Sequence, residues 1–514
     1  MANSTKKSKS GKKSKAKLVL GLVIAVMVLF VAGYFVYLSG IIPQLLPGMT
    51  ITETKDGATV KVKDLSVHET NYYFMNIYSM YSQYGMISSE SLDTVFNSTT
   101  GQTYREYLLS QGAEEAMNNV LMEREADSKG FREMSAANKA AKDELESLRG
   151  MAQLYGYPTL DGYISAQYGI GMTSRLYRQC MVRGLYADEY QQYISQFDSS
   201  IVPTDDSLNE AYKANPASYD NVDFNYYLVT AATKDGKTDI EGAKKDAQWI
   251  SDKSTDAKSF RSAVMTYLKG KGDTEALKEY ENDADPTAVN DMTKSSVEQY
   301  YDANLAAFLF AEGRKAGDKT VVETKTGAYV VILNSRKLDE TKEVTYRTLT
   351  LNNDAKNGKE RTDEQIASDA KALAEKAAQL APAGMSSLDF YKLVKANSND
   401  KDEMMDGGYV AGETKADMTE AEDGKEVDAQ TKAVAEWLFD DARKAGDVYV
   451  KTASDNRTVT IYFYEKSSPA WMGEARNAKI TENVNKLKET LKANNPQYVV
   501  NSDLVKKFIY GKRT

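Results

Sequence analysis

Two residues limit the chemistry open to this chain: in 514 residues there is one histidine, His68, and one cysteine, Cys180. A lone cysteine forms no intramolecular disulfide, so burial of a core must hold the fold together. A Cys/His metal site lacks its ligands. No nucleophilic site of the Ser–His–Asp or Cys–His kind is readable around so few residues. EF-hand spacing, a P-loop and GxGxxG are also missing from the sequence. Cys180 lies in "TSRLYRQCMVRGLYADEYQQYISQF" on a mainly apolar helical face, which predicts a core thiol. His68 sits at a strand-to-helix junction. What remains abundant is the chemistry of binding. The chain has 34 Tyr beside 14 Phe and 19 Met, and Tyr72, Tyr73, Phe74, Met75, Tyr78, Met80 and Tyr81 crowd one stretch. Such adaptable amphipathic side chains bind apolar segments weakly and broadly, or else form ordinary helix core.

The elements that would position these residues begin with an anchor. Residues 1–17 carry seven lysines and no acid, and Leu18 to Gly40 run without a charge. That length crosses a bilayer as one helix, with the lysines on the cytoplasmic side. The run exceeds a signal-peptide h-region and shows no clear A-x-A site, so it reads as an uncleaved transmembrane anchor. No cysteine follows it, which excludes a lipid-anchored form. Removing seven lysines from the net charge of −9 leaves about −16 on the remaining body. An acidic body argues against nucleic acid as a partner.

The rest is long enough for several domains. "IIPQLLPG" (41–48), with two prolines, reads as a stalk. Ala58-Thr-Val-Lys-Val alternates like a strand, and Ser66 or Thr70 is placed to cap a helix with Tyr73, Ile77, Met80, Tyr81 and Tyr84 on one side. Helical patterns fill Thr103 to about Gln196, and a boundary follows in "SSIVPTDDSLNEAYKANPASYD" (199–220).

Beyond it a phrase repeats: "LFAEGRKAGD" (309–318) returns as "LFDDARKAGD" (438–447), 129 residues later. The same order of elements surrounds each copy. A strand, "VDFNYYLV" (222–229) or "VTYRTLTLN" (344–352), leads into two helices, then a further short helix and closing strands. In the second copy the first helix, Arg361 to about Leu380, carries Ile366, Ala370, Leu373, Ala377 and Leu380 as an apolar stripe. Recurrence in order marks a duplicated module of about 120 residues. The phrase itself reads as a helix end, with Gly317 and Gly446 leaving in a left-handed turn and the Arg-Lys pair near the helix C-terminus. A last helix carries Ile480, Val484, Leu487 and Leu491 at helical spacing and needs a host surface.

In the order of these landmarks, residues 50 to 500 resemble the extracytoplasmic foldases of the PrsA and SurA type. "GATVKVKDLSVHETNYY" looks like the family's opening strand-turn-helix, and "VPTDDSLNEAYKANPASYD" like the segment leading into its first parvulin (PpiC-type) domain. The resemblance implies an α+β chain: a basic cytoplasmic tail (1–17), a transmembrane anchor (18–40) and a helical SurA-N-like chaperone domain (41–216). Two parvulin-like domains (217–339 and 340–467) follow, and a C-terminal helix (468–514) packs on the helical domain. Parvulins ease rotation about X–Pro bonds, whose resonance barrier is about 18–20 kcal/mol, in an apolar pocket beside two histidines and a Cys or Asp. Asp400, in "SND" before a Gly-Gly loop, lines up with the Cys/Asp position and is the catalytic candidate. Met418 and Trp437 line up with the pocket's Met and Phe, with Phe439 near them, as substrate-binding candidates. No histidine lines up. Thr348 stands at the first-strand position, with Tyr226 its counterpart in the first copy, and Val459 stands at about the last-strand position. The first copy keeps no Asp where Asp400 would fall, only "LKGKGD".

The expected activity is therefore that of a membrane-anchored extracytoplasmic chaperone or foldase for unfolded or nascent secreted polypeptides. An active prolyl isomerase working through Asp400 and a non-enzymatic cell-envelope scaffold are the alternatives. No cofactor, metal or nucleic acid is expected.

Overall fold

The structure, a computed structural model, describes residues 25–36, 41–234, 237–280, 284–354, 360–420 and 427–508. The basic tail and both ends of the apolar run, 18–24 and 37–40, lie outside the described residues. Residues 25–36 form a helix with exposed apolar side chains. Among the described residues no helix is long and apolar enough to cross a membrane. The fold is mixed α+β and divides into two compact units.

One unit gathers Met1–Asp198, Tyr391–Gly408 and Asn483–Thr514. Its small sheet joins the two ends of the chain. Strands Pro47–Lys55 and Ala58–Ser66 form a hairpin, and Gln497–Val500 adds beside the first of them with Met49 opposite Val500. Ser66 then caps the helix Val67–Gln83: its hydroxyl accepts the Glu69 N–H, and the Glu69 carboxylate accepts the Ser66 N–H. Helix Tyr104–Ser128 packs closely on this helix because Gly112 faces it; a Cβ there would lie 2.9 Å from backbone atoms of Tyr73 and Phe74. Met49, Ile51, Leu65, Tyr73, Leu121, Ile164 and Cys180 share the resulting core. Arg183, on helix Ser174–Phe197, pairs with Glu69 at 3.0 Å and Glu123 at 3.2 Å, tying three helices together. The stalk reading of 41–48 needs correction. Ile41–Leu45 is a short helix whose Pro43 lies in the first turn, where its missing N–H breaks no internal bond, and the strand begins at Pro47.

The other unit, Ser199–Phe390 and Tyr409–Glu482, carries two four-stranded antiparallel sheets. The first runs in the order Ala288–Thr293, Asp220–Thr230, Gly327–Leu338, Lys319–Glu323; the second runs Tyr409–Thr414, Lys342–Asn352, Thr458–Pro469, Val448–Thr452. Each strand has its counterpart at the same place in the other sheet. On one face of the first sheet, helices Ile240–Lys253 and Ala257–Lys271 bury Ala247, Ile250, Phe260 and Val264 against Val330 and Ile332. On the other face, short helices Lys294–Tyr300 and Ala303–Leu309 bury Val297, Leu305 and Leu309 against Phe224, Val331 and Leu333. The second sheet repeats the arrangement, with Asp363–Leu380 on one face and Ala429–Leu438 on the other. The edge strands Ala288–Thr293 and Tyr409–Thr414 carry mostly polar or small residues and escape a reading by alternation. Contacts also place Tyr391–Gly408, read from sequence as part of the second module, with the helical unit, and helix Ala470–Leu491 changes unit at Asn483.

The repeated phrase ends a short helix at its Leu-Phe in both copies, as expected, but its glycines belong to a separate turn further on. The short helices stop at Leu309 and Leu438, well before the glycines. Asp318 accepts the Lys315 N–H at 3.2 Å and Asp447 the Lys444 N–H at 3.0 Å, turning the chain through Gly317 and Gly446, both at φ 89°. The two glycine N–H groups donate to Leu333 O at 2.8 Å and Tyr464 O at 2.9 Å, which registers each turn on the long strand. Arg314 lies over the Phe308 ring at 3.9 Å and Arg443 over the Trp437 ring at 5.2 Å.

Candidate functional site

Side chains alternate along a strand, so the register of the second sheet decides which residues share a face. Lys342–Asn352 pairs with Thr458–Pro469 so that Tyr346 faces Tyr464, Thr348 faces Tyr462 and Leu351 faces Val459. Tyr346, Thr348, Tyr462 and Tyr464 therefore share one side, and Leu351, Val459, Ile461 and Phe463 share the other. Val459 is fully buried on that second side, so it cannot complete a cluster with Thr348. The residue across from Thr348 is Tyr462.

The aromatic side is where three of the four expected site residues meet. Met418, Trp437 and Phe439, all half-buried, pack with Val344, Tyr346, Val434 and Leu438, joined by Tyr449 and Tyr462. Trp437 and Tyr449 rings lie 5.4 Å apart, and Tyr346 and Tyr462 rings 6.0 Å apart. Trp437 is held from behind by Arg443, as described for the repeated turn. Asp400 belongs to the other compact unit. It is exposed and caps the short helix Lys401–Asp406, accepting the N–H groups of Asp402 at 2.7 Å and Glu403 at 3.1 Å. That is the work of an N-cap carboxylate.

The first sheet presents the same side with the same chemistry. Tyr226, at the position matching Thr348, meets Tyr301 at 4.9 Å and Tyr329 at 6.1 Å. Burial, and then the charge of neighbouring Tyr226, push the phenols of Tyr301 and Tyr329 up from their ordinary range. Burial likewise raises Tyr346. At neutral pH these groups are uncharged hydroxyls that donate hydrogen bonds. The partners Tyr449, Tyr462, Tyr301 and Tyr329 were not singled out from the sequence. Alternation would have found Tyr462 and Tyr464, which stand two apart, opposite Thr348 and Tyr346. A separate shallow groove of about 480 Å³ runs past Trp249, Lys253, Ser259 and Thr266.

In the helical unit the crowded aromatic stretch divides in two. Tyr72, Tyr73, Phe74 and Met75 are buried core, and only the later residues reach the surface. Tyr78 and Tyr81 are half-buried, and Met80, Tyr84, Met86 and Phe96 are exposed. Phe96 stacks on Tyr107 at 4.1 Å, and the Tyr107 and Tyr81 hydroxyls meet at 3.3 Å. These contacts hold an exposed methionine-and-aromatic tip in place. His68 is buried in the first turn of helix Val67–Gln83. Cys180 is buried, and burial pushes its thiol up to about 12, against the pull of Arg183. Neither has the exposure that chemistry on a substrate needs. Among the described residues no three His, Cys, Asp or Glu side chains are grouped to hold a metal ion.

Fold and site define a mixed α+β chain whose duplicated modules each present an aromatic, tyrosine-rich face. No protein-family model matches the chain, and no curated protein matches it. Among solved structures it is similar to the foldase protein PrsA from Lactococcus lactis, at 12% identity over 69% of this chain and 96% of that chain, with a TM-score of 0.17.

Proposed function

We propose that this chain is a membrane-anchored extracytoplasmic chaperone that holds unfolded or nascent secreted polypeptides, with its parvulin-like modules serving as binding clefts. The observation that carries this reading is the pair of matching sheet faces. Where the resemblance would place an imidazole, each module presents an aromatic face, with Tyr226, Tyr301 and Tyr329 in one and Tyr346, Tyr449 and Tyr462 in the other. Rings of this kind cover apolar side chains, and neutral phenols donate to backbone carbonyls. Such a face grips many sequences without a polar cluster that would act on one bond. The exposed Met80, Tyr84, Met86 and Phe96 add a further adaptable surface. Several weak sites on one chain raise avidity for a long unfolded client. The uncharged run from Leu18 to Gly40 supports the anchor.

Two assays on the full chain in detergent or vesicles test the reading. Aggregation of several unrelated denatured proteins should be suppressed, and an X–Pro peptide should isomerise at the buffer rate. Acceleration of the peptide, lost in Asp400→Asn, would replace the binding reading with an isomerase. Suppression confined to one partner would point to a scaffold.

A further inference from the structure

The chain that follows the apolar run, Ile41 to Leu46, is fastened to one place on the helical unit. Immediately after Gly40 comes the helix Ile41–Leu45, with Ile41 47% and Leu45 77% exposed. Its Pro43 is buried, the Gln44 side chain donates from Nε2 to Gly171 O at 3.3 Å, and Leu46 O accepts the Val67 N–H at 3.0 Å. At about 1.5 Å per helical residue, Gln44 lies roughly 6 Å along the chain from residue 40. The loop that receives Gln44 runs Gly169-Ile170-Gly171, and the positive φ of both glycines (106° and 86°) brackets an Ile170 that is 38% exposed. Single exposed apolar residues are ordinary. Ile41 and Leu45 stand four apart on the short helix, and the Gln44–Gly171 bond brings the Ile170 loop to it directly after the apolar run, where exposed apolar side chains mark a contact surface.

We infer that the face formed by Ile41, Leu45 and the Ile170 loop is a membrane-contact surface that rests in the lipid headgroup boundary. The inference depends on the anchor reading: if Leu18 to Gly40 spans the bilayer, Gln44 and its partner Gly171 lie within about one helical turn of the lipid surface. Side chains this apolar are then favoured in the interface over water. The helical unit is held by this face as well as by the anchor, so the direction in which it leaves the membrane is set.

The test uses full-length chain in phosphatidylcholine vesicles and single introduced cysteines carrying an environment-sensitive fluorophore. Native Cys180, 1% exposed, stays unlabelled. Labels go at Ile170→Cys and Leu45→Cys, at Met86→Cys beyond the far end of helix Val67–Gln83, and at Val28→Cys within the apolar run. Lipids bearing a headgroup nitroxide should quench the labels at 170 and 45 several times more strongly than the label at 86, while acyl-chain nitroxides quench the label at 28. If 28 is quenched and both 170 and 45 behave like 86, the contact surface is wrong and the anchor stands. If 28 is also unquenched, the anchor reading fails and takes the surface with it. Shielding of 170 from iodide that grows with protein concentration, without lipid quenching, would overturn the lipid assignment in favour of a second copy of the chain.

Discussion

Lys395 and Glu189 meet at 2.9 Å with side chains 2% and 0% exposed, in a place where neither charge has water to fall back on. Glu189 also accepts the Ala137 N–H at 3.3 Å, and Lys395 gives its other protons to Met404 O and Met405 O. Burial pushes the Glu189 carboxyl up and the Lys395 ammonium down, and each partner's charge opposes that shift in the other. A pair of this kind costs desolvation on both sides, so its presence adds little net stability, but removing one member strands the other. Lys395→Met should therefore cost the helical unit about 3–5 kcal/mol in urea denaturation. The double variant Lys395→Met, Glu189→Leu should recover most of that loss. A double variant as unstable as the single one would show that the segment Tyr391–Gly408 is held by packing instead. Asp400, in the same segment, separates two roles by substitution. Asp400→Ala removes the cap and should cost about 1 kcal/mol, whereas Asp400→Asn still caps and should cost a few tenths at most. A catalytic carboxylate would fail equally in both.

The repeated turn shows at the level of elements what the sequence conveyed and what it hid. Seven identities in a ten-residue phrase, in register, locate both copies, and the need for a glycine at positive φ is legible from the turn itself. The helix end at Leu-Phe is legible, but the separation of the glycine turn from that helix is not, because Arg, Lys and Ala all extend a helix comfortably. That later turn is fixed by the bonds Asp318 and Asp447 accept within it and by the glycine N–H bonds to the long strands, which appear only once those strands are in place. The two glycines differ in their surroundings. A Cβ at Gly317 would meet Thr255 O at 3.7 Å, ordinary contact, whereas at Gly446 it would meet the Gly384 backbone at 2.9 Å. Gly317→Ala should cost only the left-handed strain, about 1–2 kcal/mol. Gly446→Ala should cost more and lower the thermal midpoint further, since backbone must move. Equal midpoints for the two would mean that Gly384 yields freely. The same limit explains the site residues. Met418, Trp437 and Phe439 are implied by the resemblance, whose landmarks run in order along the chain, and their tyrosine partners are not, because strand register brings them in from elsewhere.

Across the whole molecule, carboxylates buried on folding and carboxylates that find a partner pull the response to pH in opposite directions. The chain carries a net −9, and several of its carboxylates are drawn out of water. In the helical unit burial raises Glu115, with Asp188 adding to it, and burial raises Asp188 itself against the pull of Lys488. In the sheet unit burial raises Glu343 from 4.5 to about 7, helped by the charges of Glu474, Asp339 and Asp417 and opposed by Arg476. Glu343 lies where helix Ala470–Leu491 begins; a Cβ on Gly473 would fall 2.4 Å from its Oε2, so the glycine makes room for the carboxyl. The unfolded chain releases this proton near 4.5 and the folded chain near 7, so between those values the folded form binds more protons. Stability must then fall as pH rises through that window, and the loss is complete above it. The opposite case is Asp93, which Arg105 holds down to about 2, so its contribution survives until strong acid. Glu343→Gln isolates this shift, because it keeps the shape and removes the charge. Solvent screening at this half-exposed carboxyl reduces the gain to on the order of 1 kcal/mol. The variant's thermal midpoint should exceed that of the wild type at pH 8 and match it at pH 4. A midpoint gain of the same size at both pH values would mean that Glu343 is destabilising by its fit rather than by its charge.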